Sequence, residues 1–252
     1  MGLLSKKNKP SQKAYAVVTG AGSGIGRSFA LELAKRGGDV ICADIDLSSA
    51  QETVDLIQSM TSSSAYAVHC DVGLKESVHA LAEQAEQLLG HPVTLLINNA
   101  GVGLGGKFDE VSLEDWQWCM HLNLWGVIHG CHYFVPKFKQ QGFGAIINVA
   151  SAAGYTAAPE MTAYNVTKSS VLALSETLAS ELQAYNIAVN VLCPTLVPTN
   201  IMKNGRLPSR YSGLADKLLM NHAFTTSDAV VKKTLNRLDA DKHYTIPQPD
   251  DK

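Results

Sequence analysis

The sequence predicts an α/β protein, a Rossmann-type doubly wound parallel sheet in a single domain. Three observations predict it. Short apolar, β-branched runs recur along the chain in the form expected of buried parallel strands. Segments with helical patterning separate them, with no break in composition. The first run ends in Gly20-Ala21-Gly22-Ser23-Gly24-Ile25-Gly26, and the second run is closed by Asp44. Such alternation argues for helices on both faces of the sheet and for ligands outside the carboxyl ends of its strands.

Composition bounds the function. Of 252 residues, 46% are hydrophobic and 17% charged, enough apolar material for a substantial core and not a disordered composition. A formal net charge of -2 gives no footing for nucleic acid or an anionic membrane as partner. The five cysteines are scattered, odd in number and never in a Cys-x-x-Cys pair, which reads as small core residues in a reducing compartment. No run approaches the ~20 apolar residues of a membrane helix. Residues 1–13 carry Lys6, Lys7, Lys9 and Lys13 without a following apolar stretch, and read as a flexible basic tail rather than a secretory signal. Met1-Gly2 has Lys6 where a myristoylation motif needs Ser or Thr. The expected location is cytoplasmic.

In order, the first strand is expected at Ala14–Thr19. The glycine turn follows, then a helix from Arg27 to Arg36, stopped by Gly37-Gly38. The second strand is Asp39–Ala43. This strand, glycine turn, helix, strand and acid form the context a dinucleotide fingerprint requires. The glycines permit close approach to a pyrophosphate, and the helix start offers free N–H groups and a positive dipole. Asp44 falls where an acid accepts hydrogen bonds from an adenosine ribose, and it opposes a 2′-phosphate, so NAD is favoured over NADP.

A helix over Leu47–Met60 leads to a third strand, Ala65–Cys70, ending at Asp71-Val72. Asp71 could contact an adenine amino group or cap the helix expected from Leu74 to Leu89. After Gly90-His91-Pro92 comes the strand Val93–Ile97. It runs into Asn98-Asn99-Ala100-Gly101, small residues against which a flat ligand could lie, although the asparagines could equally tie strands together. One helix is expected from Ser112 to about Phe138. It carries Asn123 in an apolar run, as a core Asn bonded to backbone or part of a catalytic relay. His121, His129, His132 and Cys131 match no metal-ligand spacing, and no metal is expected. The strand Ala145–Ala150, a helix from about Thr162, a candidate for its cap, to Tyr185 and the strand Ile187–Leu192 follow, with a last strand at His243–Pro247.

The chemistry centres on Ser151, Tyr164 and Lys168. Tyr164 and Lys168 are four residues apart, so a helix presents them side by side. A cation near a phenol favours the phenolate and should lower its pKa, giving an acid/base catalyst nearer neutrality. Ser151, just past a strand, could hydrogen-bond a substrate oxygen.

Taken together, Thr19-Gly20-x-x-x-Gly24-Ile25-Gly26, Asn98-Asn99-Ala100-Gly101, and Asn123, Ser151, Tyr164 and Lys168 in that order resemble the short-chain dehydrogenase/reductase family from about Ala14 to Thr199. The resemblance implies hydride transfer between a nicotinamide cofactor and a carbon bearing oxygen, with Asn123, Ser151, Tyr164 and Lys168 as a catalytic tetrad. It implies a cofactor site of Gly20, Ser23, Gly24, Ile25, Gly26, Asp44, Asp71, Val72, Asn99, Ala100, Gly101, Tyr164, Lys168, Pro194, Val197 and Thr199. Lys168 would hold the nicotinamide ribose, Asn123 would anchor a water, and Thr199 with the backbone near Val197 would fix the carboxamide. A homodimer or homotetramer is also implied, through the helices around Trp116–Phe138 and Thr162–Tyr185. Two features depart from the family pattern. Thr195 stands where it has Gly after Pro194, and the Gly-rich ending common in the family is absent, which would fit a missing C-terminal extension.

The segment 200–225 is expected to cover the substrate. Its Ile201, Met202, Leu207, Tyr211, Leu214, Leu218, Leu219, Met220 and Phe224, with Met161, Tyr155 and the loop Gly103–Gly106 nearby, suggest a lipophilic secondary alcohol or ketone, steroid-like or hydroxyacyl. The alternatives are an NADPH-dependent carbonyl reductase, against which Asp44 argues, and a non-catalytic NAD-sensing regulator.

Overall fold

The computed structural model of the chain describes residues 9–195, 197, 201, 204–211 and 225–245. Its strands are β1 (Tyr15–Thr19), β2 (Asp39–Asp44), β3 (Ala65–His69), β4 (Leu95–Asn98), β5 (Gly144–Val149), β6 (Ile187–Leu192) and β7 (Tyr244–Thr245). They form one sheet in the order β3-β2-β1-β4-β5-β6-β7, every pair parallel. Tyr15 pairs with Asp39 on one side of β1, and Ala16 pairs with Leu95 on the other. The strand order therefore reverses between β1 and β4, and a crevice opens there above the carboxyl ends of the strands.

The continuous apolar runs are explained by burial on both faces. One core packs Val17, Ile41, Leu96 and Ile146 against α3 (Lys75–Leu89), α5 (Gly126–Gln141) and α7 (Thr162–Leu182). The other packs Val18, Val40, Ile97 and Ile147 against α1 (Gly24–Lys35), α2 (Leu47–Met60) and a helix over Ser227–Asp239. That last helix, α8 in this numbering, was not expected from the sequence.

Several boundaries differ from expectation, each for a local reason. α1 begins at Gly24 rather than Arg27, so the glycine turn and the first helical turn are one unit. Gly20 takes φ 64°, a conformation few other residues adopt. Asp71 does not cap α3, whose cap position is Leu74. Its carboxylate accepts from the Gly73 N–H at 2.9 Å and so shapes the turn before the helix. The helix start at Ser112 holds, with the Ser112 hydroxyl accepting from the Asp115 N–H at 3.0 Å. The helix expected to run on to Phe138 is instead α4 (Leu113–Met120), a π-helical turn at His121–Trp125, and then α5. Thr162 does not cap α7, because Met161 occupies that position without a side-chain bond. A short α6 (Ala153–Thr156) precedes it.

The basic start is not a free tail throughout. Ser11 is fully buried, its hydroxyl donating to Asp239 at 2.7 Å and accepting from Arg36 at 2.7 Å. No helix among the described residues is long and apolar enough to cross a membrane.

Candidate active site

A cleft of about 690 Å³ lies at the switch point of the sheet. The glycine turn after β1, Asp44 at the end of β2, Asp71-Val72 after β3, Asn99-Ala100-Gly101 after β4, Ser151 after β5 and Pro194, Thr195 and Val197 after β6 all open onto it. Tyr164 and Lys168 reach it from α7. Of the expected cofactor residues, Gly20, Ser23, Gly24, Ile25, Asp44, Asp71, Val72, Asn99, Ala100, Gly101, Tyr164, Lys168, Pro194 and Val197 all line this cleft.

Two expected residues are placed differently, and a third lies outside the described residues. Gly26 does not line the cleft but allows the turn to close: a Cβ there would lie 2.0 Å from the Gly20 carbonyl oxygen and 2.5 Å from the Asn99 side-chain nitrogen. Asn123 is fully buried behind the wall, where a Cβ on Gly101 would stand 2.8 Å from its Oδ1. Thr199 lies outside the described residues, as do Met202, Leu214, Leu218, Leu219, Met220 and Phe224.

Asp44 is shared by the cleft and the turn. One carboxylate oxygen accepts from the Gly22 N–H at 2.8 Å and the other from the Asp46 N–H at 3.0 Å. The nearby Arg27 is engaged by other partners. Its guanidinium bonds the Gly22 carbonyl, pairs with Glu52 at 2.9 Å and donates to Thr53 at 3.0 Å.

Tyr164 and Lys168 share a helix face as their spacing dictates, with Lys168 Nζ 5.7 Å from the centre of the phenol ring. The ammonium bonds the Val149 carbonyl at 3.0 Å and not the phenol oxygen. The expected lowering of the Tyr164 pKa therefore does not follow. Burial pushes the phenol up to about 12, against a hydrogen bond with Ser151 that pulls it down. Burial in turn pushes Lys168 down to about 8.

Asn123 sits in the π-helical turn, and both ends of its amide are locked to one backbone unit. Oδ1 accepts from the Val102 N–H at 2.7 Å, and Nδ2 donates to the Val102 carbonyl at 2.9 Å. Nδ2 also faces Cys119 Sγ at 3.3 Å and Thr167 Oγ1 at 3.4 Å. Sequence reasoning missed both of these, because a small polar residue inside an apolar helix reads as ordinary core.

Trp118, Leu122, Met161, Ile201 and Asn204 also line the cleft. Trp118 was missed as a lining residue. Tyr155 was expected nearby but does not line the cleft, its hydroxyl standing 3.8 Å from Cys193 Sγ. Thr195 lines the cleft with its hydroxyl buried and unpartnered among the described residues. Among those residues no group of three or more His, Cys, Asp or Glu is arranged to hold a metal, and His129 Nδ1 is engaged by the Val72 carbonyl at 2.9 Å.

A family model described as short chain dehydrogenase matches residues 14–208. The Mycobacterium tuberculosis protein named Probable oxidoreductase EphD is 36% identical over 186 residues, which are 73% of this chain. This chain spans only 31% of the length of that relative. The Escherichia coli 7alpha-hydroxysteroid dehydrogenase is 33% identical over 189 residues, covering 75% of this chain and 73% of its own. A solved short chain dehydrogenase/reductase from Burkholderia phymatum, in complex with NAD, superposes with a TM-score of 0.88 at 34% identity, covering 95% of this chain and 90% of that one.

Proposed function

Because the chain belongs to the short-chain dehydrogenase/reductase family, we propose that it is an NAD-dependent oxidoreductase interconverting a lipophilic secondary alcohol and its ketone. The observation that carries this reading is one cleft holding both Tyr164, Ser151 and Lys168 and the glycine-lined cradle that ends at Asp44.

The cradle fits a dinucleotide. A Cβ at Gly22 would fall 2.8 Å from Asp44 Oδ2, and the cleft wall at Gly101 is equally bare of side chain. Backbone can thus approach a pyrophosphate beside the N-terminus of α1. Asp44 would receive the ribose hydroxyls. A 2′-phosphate would meet this carboxylate, and Arg27 is already paired with Glu52, so NAD is the better match. Bound nicotinamide supplies the hydride donor or acceptor. Ser151 donates a hydrogen bond to the reacting oxygen and stabilises its developing charge. Tyr164 gives its Oη proton to that oxygen in reduction, and in oxidation its phenolate form takes the alcohol proton. Held up near 12, the phenol keeps its proton at neutral pH and stands ready as an acid. Lys168 keeps positive charge 5.7 Å from the centre of that ring, and Asn123 fixes the Val102 backbone beside Gly101. The apolar lining by Trp118, Met161 and Ile201 suits a lipophilic partner, and the likeness to a hydroxysteroid dehydrogenase supports the same class.

The test is the absorbance of NADH across a panel of lipophilic secondary alcohols and ketones, with NADP(H) as a parallel arm. Tyr164→Phe should lower turnover at least ~100-fold while NADH binding, followed by fluorescence, stays near that of the native protein. Turnover surviving within about tenfold would remove Tyr164 from the acid/base role. A preference for NADPH would overturn the cofactor assignment.

A further inference from the structure

An arginine that does not line the cleft grips an aromatic ring that does. Arg206 lies with its guanidinium carbon 4.1 Å from the centre of the Trp118 ring. The same guanidinium pairs with Asp115 at 2.6 Å, and Asp115 sits one turn before Trp118 on α4. The cation is thus held in a vice of carboxylate and indole. Its backbone is fixed as well. The Arg206 N–H donates to the Gly103 carbonyl at 3.0 Å, and the Arg206 carbonyl accepts from the Gly105 N–H at 3.1 Å. This contact depends on small residues, since a Cβ at Gly205 would stand 2.6 Å from the Gly103 oxygen. Between the two glycines, Leu104 is buried against Cys119 and Ala163, the neighbour of Tyr164. On its other side the loop is tied to the start of α7, the Gly106 N–H donating to the Glu160 carbonyl at 2.7 Å.

We propose that Arg206 is a specificity-determining residue: by stacking on Trp118 it fixes that ring as a wall of the substrate chamber, which then selects flat, bulky apolar ketones and alcohols over small ones. The inference rests on the oxidoreductase reading above. Arg206 side-chain atoms remain half-exposed to water, so its charge stays outside the apolar chamber and acts only through the indole. An indole without this grip keeps only its packing against the cluster of Leu104, Cys119 and Ala163, and a bulky substrate meets a less firmly fixed surface. A small ketone, bound near Ser151 and Tyr164, makes little use of that wall.

The experiment compares trans-1-decalone with 2-butanone as substrates with NADH, in the native protein and in Arg206→Met and Arg206→Lys. Met keeps the apolar stem, and Lys keeps the charge without the planar stack. Arg206→Met should raise KM for decalone roughly threefold to tenfold, the range of a partly exposed cation–π contact. Its kcat should move less, and KM for butanone should stay within about twofold, because only binding against the wall is lost. Arg206→Lys should fall between the native protein and Arg206→Met. Calorimetric titration of both ketones onto NADH-saturated protein in the Tyr164→Phe background reads the same ratio without turnover. Survival of turnover in Tyr164→Phe would thus defeat the proposed reaction while the calorimetric ratio still judged Arg206. If Arg206→Met does not fold, as judged by near-ultraviolet circular dichroism, Asp115→Asn releases the guanidinium from its other side and should shift the ratio in the same direction. Equal effects on both ketones, an unchanged KM for decalone, or a native protein that binds butanone but not decalone would overturn the inference.

Discussion

Lys168 is buried to 2% exposure with the Val149 carbonyl as its bonded partner among the described residues, and its ammonium is costly there. That cost makes a prediction about stability. The folded-state pKa of about 8 lies below the value near ~10.4 of the unfolded chain. Between these values the unfolded chain holds a proton that the folded chain has released, so stability from this position rises with pH across that window. Its full contribution is present above ~10.4 and is lost as pH falls through about 8. The penalty at neutral pH is on the order of 3 kcal/mol. Urea unfolding from pH 7.5 to 10.5 should show the native protein gaining about that much relative to Lys168→Met. A difference that stays flat across the range would mean that the lysine is not held in the apolar setting seen here. Tyr164 is displaced the opposite way, upward, and titrates above this window in the folded protein. The residue types and their spacing were legible in the sequence, but the sign of the phenol's shift was not. Spacing fixes which face of a helix two groups share, whereas the sign depends on how much water reaches them and where the ammonium points.

Among the elements, the turn between β1 and α1 is the most constrained by close approach. Gly26 is needed for space rather than for backbone freedom. Any side chain there runs into the Gly20 carbonyl, a backbone atom that cannot swing aside. Gly26→Ala should therefore open the turn, costing about 3 kcal/mol in urea unfolding and raising the NADH dissociation constant at least ~10-fold, since the turn is both packing and cradle. A native-like affinity in this variant would show that the dinucleotide does not rest on this turn. The glycine pattern made this element legible from sequence. The π-helical turn around Asn123 was not, because one extra residue in a turn leaves the apolar periodicity of α4 and α5 nearly intact. Only the folded chain shows Asn123 turned onto the Val102 backbone, at a π-turn of the kind that recurs at functional sites. The cap of α7 was misassigned for a related reason. Thr162 has the right chemistry, but the loop enters from Glu160 at φ 60° and brings Met161 to the cap position.

Across the whole molecule, stability and function occupy opposite edges of the sheet. The strands were readable because burial on both faces demands unbroken apolar runs, which is why β1 to β6 fall within a residue or two of expectation. α8 escaped although Thr226 caps it, its hydroxyl accepting from the Ala229 N–H at 3.2 Å, because its apolar face is narrow. Polar and charged residues also outnumber apolar ones along it, and its buried apolar face is confined to Val230, Val231, Leu235 and Leu238. Yet α8 closes the fold. Asp239 at its end accepts from the N–H and hydroxyl of Ser11 at 2.9 and 2.7 Å and lies 3.5 Å from Arg36, with these charged side chains about one-tenth exposed. This cluster joins the first described residues, α1 and α8 at the amino edge of the strands, far from the cleft at their carboxyl ends. Asp239→Ala leaves Arg36 with Glu32 at 3.0 Å and Asn236 at 2.8 Å, so the loss should be smaller than for a fully orphaned buried charge, about 2 kcal/mol. The urea midpoint should fall accordingly, while NADH affinity and the KM values of both ketones stay native, because among the described residues this cluster reaches the cleft only through the rigid sheet and α1. A fall in cofactor affinity matching the fall in stability would instead show that the packing of α8 on α1 sets the geometry of the glycine turn at the opposite end of that helix.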